Sequence, residues 1–434
     1  MHIKKHLSFS ALQKNLSSRF KQIDDPRQSG KVEFQLHDCL MSGFAMMLFQ
    51  DPSLCDFQRR LQDVYQRSNL HSMFGVSAIP QDSQLRDLLD TVSPAYLEPI
   101  FSDFLGRIQR GKHLEPYRVL GNRYLVPIDG SEYFNSYKIH CPGCLTQRKN
   151  GKVRYHHNIV QAVIAHPDMR QVLPLAPEAV TNRDGTEKQD CEINAGKRLL
   201  AKIRKYHPKL PIIIGGDSLY SKQPFIKECK KHGFSYVLGA KPADHKVMFE
   251  FVEEITAMGE AETLELVDSR SRRHIYRWVN QVPINGSEKA DDVNFFHYQI
   301  VSKGSKVTYR NSWVTEIEVD SNNIVELVKV GRCRWKIENE TFNTLKNQGY
   351  HLEHNYGHGS RHLSMVFFLL NLLAFYVHQI LELTDLLYQQ LRYKKFTSRK
   401  EFWNQLRCTF RILLFRNWEH MFSYLLDPPP LQPP

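Results

Sequence analysis

Three acidic residues stand in contexts that suit them to hold divalent cations. Asp129 follows the apolar run Val126-Pro127-Ile128 and precedes Gly130 and Ser131; Asp217 closes Ile212-Ile213-Ile214-Gly215-Gly216. Glu338 ends the basic run Arg334-Trp335-Lys336-Ile337. Carboxylates are the hard oxygen ligands that magnesium and manganese prefer. Two such ions about 3.5–4 Å apart activate a water or 3′-hydroxyl for attack on a phosphoryl group and stabilise the leaving oxygen. That chemistry needs neither histidine nor cysteine. A single Asp after a strand is more often a turn residue or a helix cap. The three together point to a two-metal phosphoryl-transfer site made of Asp129, Asp217 and Glu338.

The elements that must position them can be read from apolar periodicity. Residues 123–129 and 158–165 read as strands, with a short third strand at 171–175. A helix is expected over 190–206, with Ala195, Leu199, Leu200 and Ile203 on one face and Asp190 as its N-cap. A strand at 210–214, a helix at 221–232 and a strand at 234–239 complete a mixed α/β sheet. Asp129 and Asp217 would then sit at strand ends, where ligands of open α/β sheets gather. Residues 245–325 alternate in short apolar segments and predict a β-rich insertion, after which a helix over 323–347 carries Glu338. Residues 1–110 read as helical, and a stretch carrying Arg59, Arg60 and Arg67 suits a module able to lie on DNA, although no helix-turn-helix signature stands out. The Pro-rich end, 427–434, is expected to be disordered.

Composition sets the outer bounds. With 434 residues, 41% hydrophobic and 24% charged, the chain suits two or three folded domains and excludes wholesale disorder. An excess of 58 Lys+Arg over 46 Asp+Glu gives +12, which favours a polyanionic partner, nucleic acid first; a basic enzyme without such a partner is the alternative. The first residues lead into no long apolar stretch, so no signal peptide is expected. The apolar run 365–377 is shorter than the ~20 residues a bilayer requires and predicts a buried helix, with no membrane partner. Eight mostly scattered cysteines suit a reducing, cytoplasmic setting.

On Ile128-Asp129-Gly130-Ser131, on Gly216-Asp217-Ser218-Leu219-Tyr220-Ser221 and above all on Arg334-Trp335-Lys336-Ile337-Glu338, the chain resembles a known family. It is similar to the DDE transposases of bacterial insertion sequences, specifically the insertion sequence four group with its Tyr-Arg-Glu-Lys signature, over roughly residues 80–380. The run from Leu345 through Gly349-Tyr350 to Gly359 also looks like a branch of that group. The resemblance implies an α/β fold: a ribonuclease-H-like mixed-sheet catalytic core interrupted by a β-rich insertion, with helical N-terminal and C-terminal regions. The expected division is 1–115 helical and DNA-binding, 116–244 first part of the core, 245–325 insertion, 326–380 second part of the core, and 381–434 helical C-terminal region.

The same resemblance implies strand cleavage and strand transfer at the ends of an insertion sequence, with Mg2+ or Mn2+ (two ions) held by Asp129, Asp217 and Glu338. Double-stranded DNA would be the partner, as terminal inverted repeats and as target, with a homodimer in the DNA complex. The signature is departed from at two places: its tyrosine position is Gly331, and its lysine position is Leu345, with Lys346 next to it. One residue on a helix turns a side chain by about 100°. Arg334 and Lys346 are the expected phosphate contacts and Trp313, or Trp278, a base-stacking residue. The blander readings are an i,i+4 ion pair of Arg334 with Glu338, which would compromise Glu338 as a ligand, and core packing of both indoles. Glu340 is the reserve carboxylate. A nuclease that cuts without joining and a domesticated, catalytically inactive DNA-binding protein are the rival functions.

Other polar groups stay open. Cys141-Pro142-Gly143-Cys144 with His140, His156 and His157 could bind zinc, but a second pair at matching spacing is missing, so reduced thiols in a loop between the first two strands are the expected state. Arg183 and Lys188 are solvated charges or phosphate contacts. His351, His354 and His358 suit a polar loop better than a metal cluster.

Overall fold

The computed structural model describes residues 5–28, 30, 32–182, 189–396 and 398–429. Arg183 and Lys188, and most of the Pro-rich end, lie outside the described residues. Among those described, twelve strands make one sheet. They are β1 (Arg118–Val119), β2 (Arg123–Ser136), β3 (Leu145–Lys149), β4 (Lys152–Ile164), β5 (Leu173–Pro174), β6 (Glu178–Val180), β7 (Ile212–Gly216), β8 (Ser235–Gly239), β9 (Glu262–Val267), β10 (Arg273–Pro283), β11 (Asp292–Val301) and β12 (Val307–Thr315). The order is β3-β4-β2-β7-β8-β12-β11-β10-β9, with β1 on β2 and both β5 and β6 on β4.

At the centre β2, β7 and β8 run parallel, and β4 and β12 flank them antiparallel. A strand covered on both faces must be apolar throughout, and β7 is buried along its whole length. Parallel neighbours need crossover helices, supplied by α7 (Glu192–Tyr206) before β7 and α8 (Gln223–Lys231) before β8. This mixed sheet with flanking helices fits the ribonuclease-H-like arrangement.

Six helices precede the sheet: α1 (Phe9–Phe20), α2 (Leu36–Leu48), α3 (Leu54–Arg60), α4 (Val64–Phe74), α5 (Asp82–Asp90) and α6 (Glu98–Arg110). After α8 come α9 (Lys246–Ala257), α10 (Ile324–Cys333), α11 (Asn343–Asn347), α12 (Leu363–Thr384), α13 (Leu386–Gln390), α14 (Arg399–Ile412) and α15 (Trp418–Leu426). Helix α12 is longer than its apolar run suggested. Its 22 residues are long and apolar enough to cross a membrane, yet 89% of its most apolar stretch is buried inside the protein. It is the core helix against which α2, α5 and α6 pack. Two of its buried polar side chains find strong partners: Asn371 donates to the Tyr350 carbonyl at 2.7 Å, and Glu382 meets Arg399 at 3.1 Å.

Four local expectations change. Asp129 lies inside the long strand β2 rather than at its end. The cysteine-bearing segment between the first strands is no simple loop, because it leads into the hairpin β3–β4. The helix expected over 323–347 is broken into α10, a π-helical turn at Ile337–Phe342 and α11, and that turn holds Glu338. Helix α7 is capped by Cys191, not Asp190; the Asp190 carboxylate instead takes the amides of Cys191 and Thr181 and the Arg198 guanidinium. Arg60 is also drawn away from the surface, paired with buried Asp51.

Gly331 has a packing reason. A Cβ there would stand 2.7 Å from the buried ring of Trp313, so any side chain on this face of α10 displaces the indole. Gly331→Ala should therefore cost about 1–3 kcal/mol by overpacking, read as a lower urea midpoint. An unchanged midpoint would mean that α10 shifts freely against β12.

Candidate active site

The pairing of β2 with β7 sets the geometry. Tyr124 to Pro127 pair in register with Ile212 to Gly215. Asp129 and Asp217 each lie two residues past the last pair, Asp217 one residue beyond the end of β7, so both come to the same end of this pairing, near enough for Asp217 to push the Asp129 carboxyl up. Beyond Pro127, β2 continues with β4 alone, pairing Asp129 with Gln161. The acidic residues therefore mark the point where the parallel partner ends, which corrects the strand-end expectation for Asp129 and leaves its side chain mostly buried but not closed off.

Glu338 reaches this point from the π-helical turn. Arg334 Nη1 lies 2.6 Å from Glu338 Oε1 and 3.3 Å from Asp129 Oδ2, so one guanidinium nitrogen joins the two carboxylates. The i,i+4 pair weighed from sequence is thus present, and it extends to Asp129. The other Asp129 oxygen accepts from the Gly130 amide at 3.0 Å, and Asp217 Oδ1 accepts from the Leu219 amide at 2.9 Å. The contact to Arg334 is made by Glu338 and not by Glu340.

A fourth carboxylate joins them that the sequence did not single out. Glu192, in the first turn of α7, lies over Gly130, where a Cβ would come within 2.2 Å of its Oε2. Tyr220 Oη donates to its Oε1 at 2.8 Å. Only tertiary structure brings Glu192 to the site. Burial pushes the Asp129 carboxyl up to about 7; Arg334 pulls it down, while Glu338, Asp217 and Glu192 push it further up. Burial also raises Glu192, against the Tyr220 hydrogen bond. Four carboxylates facing one guanidinium leave an excess of negative charge, and that donor set, with a cation already lying between two of its members, fits hard divalent ions. Among the described residues, the group whose ligand atoms all converge within 4.8 Å is a different one: Cys141, Cys144, His157 and His358.

The remaining candidates separate. Lys346 is turned toward Glu353, 3.0 Å away. Trp313 and Trp278 are both 2% exposed, and Trp313 stacks on Phe296 at 5.3 Å. Neither indole offers a face to a base: Trp313 lies against Phe296 of β11 and Gly331 of α10, and Trp278 on β10 is as deeply buried. The exposed indole is Trp335, beside Arg334, at 45%. His140 stacks on Tyr155 and His156 bonds Asn158, so neither joins the cysteines, whereas His358 does. His351 and His354 stay in the loop before α12.

Residues 134–376 match the family model described as a transposase DDE domain. That span begins just past Asp129 and contains Asp217 and Glu338. No curated protein matches the chain.

Proposed function

The chain belongs to the transposase DDE-domain family, and from that premise we propose that it is an insertion-sequence transposase that cuts and joins DNA at Asp129, Asp217 and Glu338. The observation that carries this reading is the placement of Asp129 and Asp217 at the same end of the β2–β7 pairing, with Glu338 tied to Asp129 through Arg334. Two magnesium or manganese ions bound by these carboxylates would activate the attacking water or 3′-hydroxyl and stabilise the leaving oxygen.

The chain's own residues supply the rest. Tyr220 holds Glu192 over Gly130, which fixes the carboxylate beside Asp129. Arg334 neutralises Asp129 and Glu338 in the free protein; once cations take that role, its planar fork is available to a DNA phosphate. Trp335 stands next to it, 45% exposed with Lys336 Nζ over its ring, and is the indole that an unpaired base could reach. Lys346 would reach a phosphate only by leaving Glu353. Processing two element ends implies at least a dimer on DNA, by family analogy. Phosphate contacts release counterions from DNA, so affinity should fall steeply with salt.

The test uses the full chain, DNA spanning each border of its own gene, a target plasmid and Mg2+. The expected products are border cleavage and covalent joining of the border 3′-hydroxyl to target. Cleavage without joined product would make the protein a nuclease, and no cleavage at all would remove the catalytic reading.

A further inference from the structure

We propose that Cys141, Cys144, His157 and His358 bind one zinc ion, which pins the hairpin β3–β4 to the loop between α11 and α12. The proposal is independent of the DNA chemistry assigned above.

Three of the distances come close to the edges of a tetrahedral zinc site, and all four ligand atoms lie within 4.8 Å of one another. Zn–S bonds of about 2.3 Å and Zn–N bonds of about 2.0–2.1 Å give edges of about 3.8 Å between sulfurs and about 3.5 Å between sulfur and nitrogen. The two sulfurs are 3.7 Å apart, too far for the bond of about 2.05 Å in a disulfide. His157 Nε2 is 3.3 Å from each sulfur, and His358 Nδ1 is 4.0 Å from Cys144 Sγ. One ring nitrogen equidistant from two thiols cannot serve both with a single N–H, whereas an ion at the centre serves all four groups.

The surroundings hold the ligands in place. Cys141-Pro142-Gly143-Cys144 forms a tight turn in which the Cys144 amide donates to the Cys141 carbonyl at 3.1 Å. Asn182 Nδ2 locks that turn by donating to the Pro142 and Cys144 carbonyls at 2.6 and 3.2 Å. The His157 ring lies 5.6 Å from Tyr133 at 17°, and His358 packs edge-on to Phe134 at 3.9 Å. These aromatic walls orient the imidazoles. They also leave the four polar groups few other partners. Four protein ligands and no open position make a structural ion rather than a catalytic one.

Its position gives the ion a purpose. Tyr133 and Phe134 are on β2, a few residues after Asp129, while His358 follows the turn that carries Glu338. Closing the site joins the two segments that bear the acidic residues.

The test is metal analysis of the full-length protein, purified under reducing conditions without chelator. On the order of one zinc per chain is expected, falling at least about tenfold in Cys144→Ser and in His358→Ala and unchanged in His156→Ala. Should the variants fail to fold, cobalt added to the metal-free wild-type protein decides the matter. A tetrahedral cobalt–thiolate spectrum that zinc abolishes supports the site. Wild-type protein that takes up neither metal, or Cys144→Ser that keeps a full equivalent, overturns it. Neither readout involves DNA, so failure here is separate from failure of the transposase mechanism.

Discussion

Asp129→Asn, Asp217→Asn and Glu338→Gln should each slow border cleavage by about a thousandfold while changing DNA affinity only a few-fold. Each substitution keeps the shape of the side chain and removes the charge, and the metal chemistry depends on charge. Affinity rests on lysines and arginines elsewhere, which these changes leave in place. Glu340→Gln should stay within a few-fold of wild type, because Glu338 is the carboxylate that meets Arg334. Single-turnover cleavage of end-labelled border DNA measures the rate, and a binding titration at fixed salt measures affinity. Folding is checked through the sign of the stability change. Burial raises Asp129 to about 7 in the folded chain, so its contribution to stability is fully present below the unfolded value near 3.9 and is lost as pH rises through about 7. In chelator at pH 8, Asp129→Asn should therefore melt above wild type. A variant that is inactive but more stable has lost chemistry, not structure. Full transposition by Asp217→Asn would instead favour a DNA-binding protein without catalysis.

How much of this was legible in the sequence depends on how local each signal is. Asp217 was visible because the isoleucine run of β7 can only be a covered strand and the glycines mark its end. Glu338 stood out as an acid in a basic run. Its π-helical setting did not show, since an extra residue in a helical turn depends on what the turn packs against. The hairpin β3–β4 has a local signal: Asn150-Gly151, both at positive φ, is a strong two-residue turn between strands. Glu192 and His358 were out of reach. One comes to Asp129 over Gly130, and the other lies 214 residues from Cys144, so only the folded chain brings either to its site. That Trp313 is buried beneath Gly331 shows only in the fold, because the contact joins β12 to α10.

The largest expected loss of stability comes from Asp90, at the end of α5. Helix α12 begins at Leu363 without a cap from its own N-cap residue, His362. Asp90 supplies the cap from across the fold. Its Oδ1 accepts from the amides of Arg361, His362 and Leu363 at 2.9–3.0 Å, and its Oδ2 accepts from the Ser360 amide and hydroxyl at 2.9 and 3.0 Å. An ordinary N-cap is worth about 1 kcal/mol, but this carboxylate satisfies most of a helix N-terminus in a buried setting. Removing it leaves the buried Leu363 amide and several partly exposed donors without this acceptor, so Asp90→Ala should cost about 2–4 kcal/mol, a large part of the stability of a typical domain. Asp90→Asn keeps the shape and loses the charge, and should cost about half as much. Burial pushes the Asp90 carboxyl up, but the amides of Ser360, Leu363, His362 and Arg361 outweigh it and leave it below the ordinary value. A depressed carboxylate contributes fully above its unfolded value near 3.9 and loses that contribution as pH falls through the folded one. Urea unfolding from pH 7 down to 3.5 should therefore show wild type losing stability faster than Asp90→Asn at the acid end; parallel curves would remove the carboxylate from this role. The same cap fixes the end of the loop that holds His358, so Asp90→Ala should also weaken zinc retention in the folded fraction.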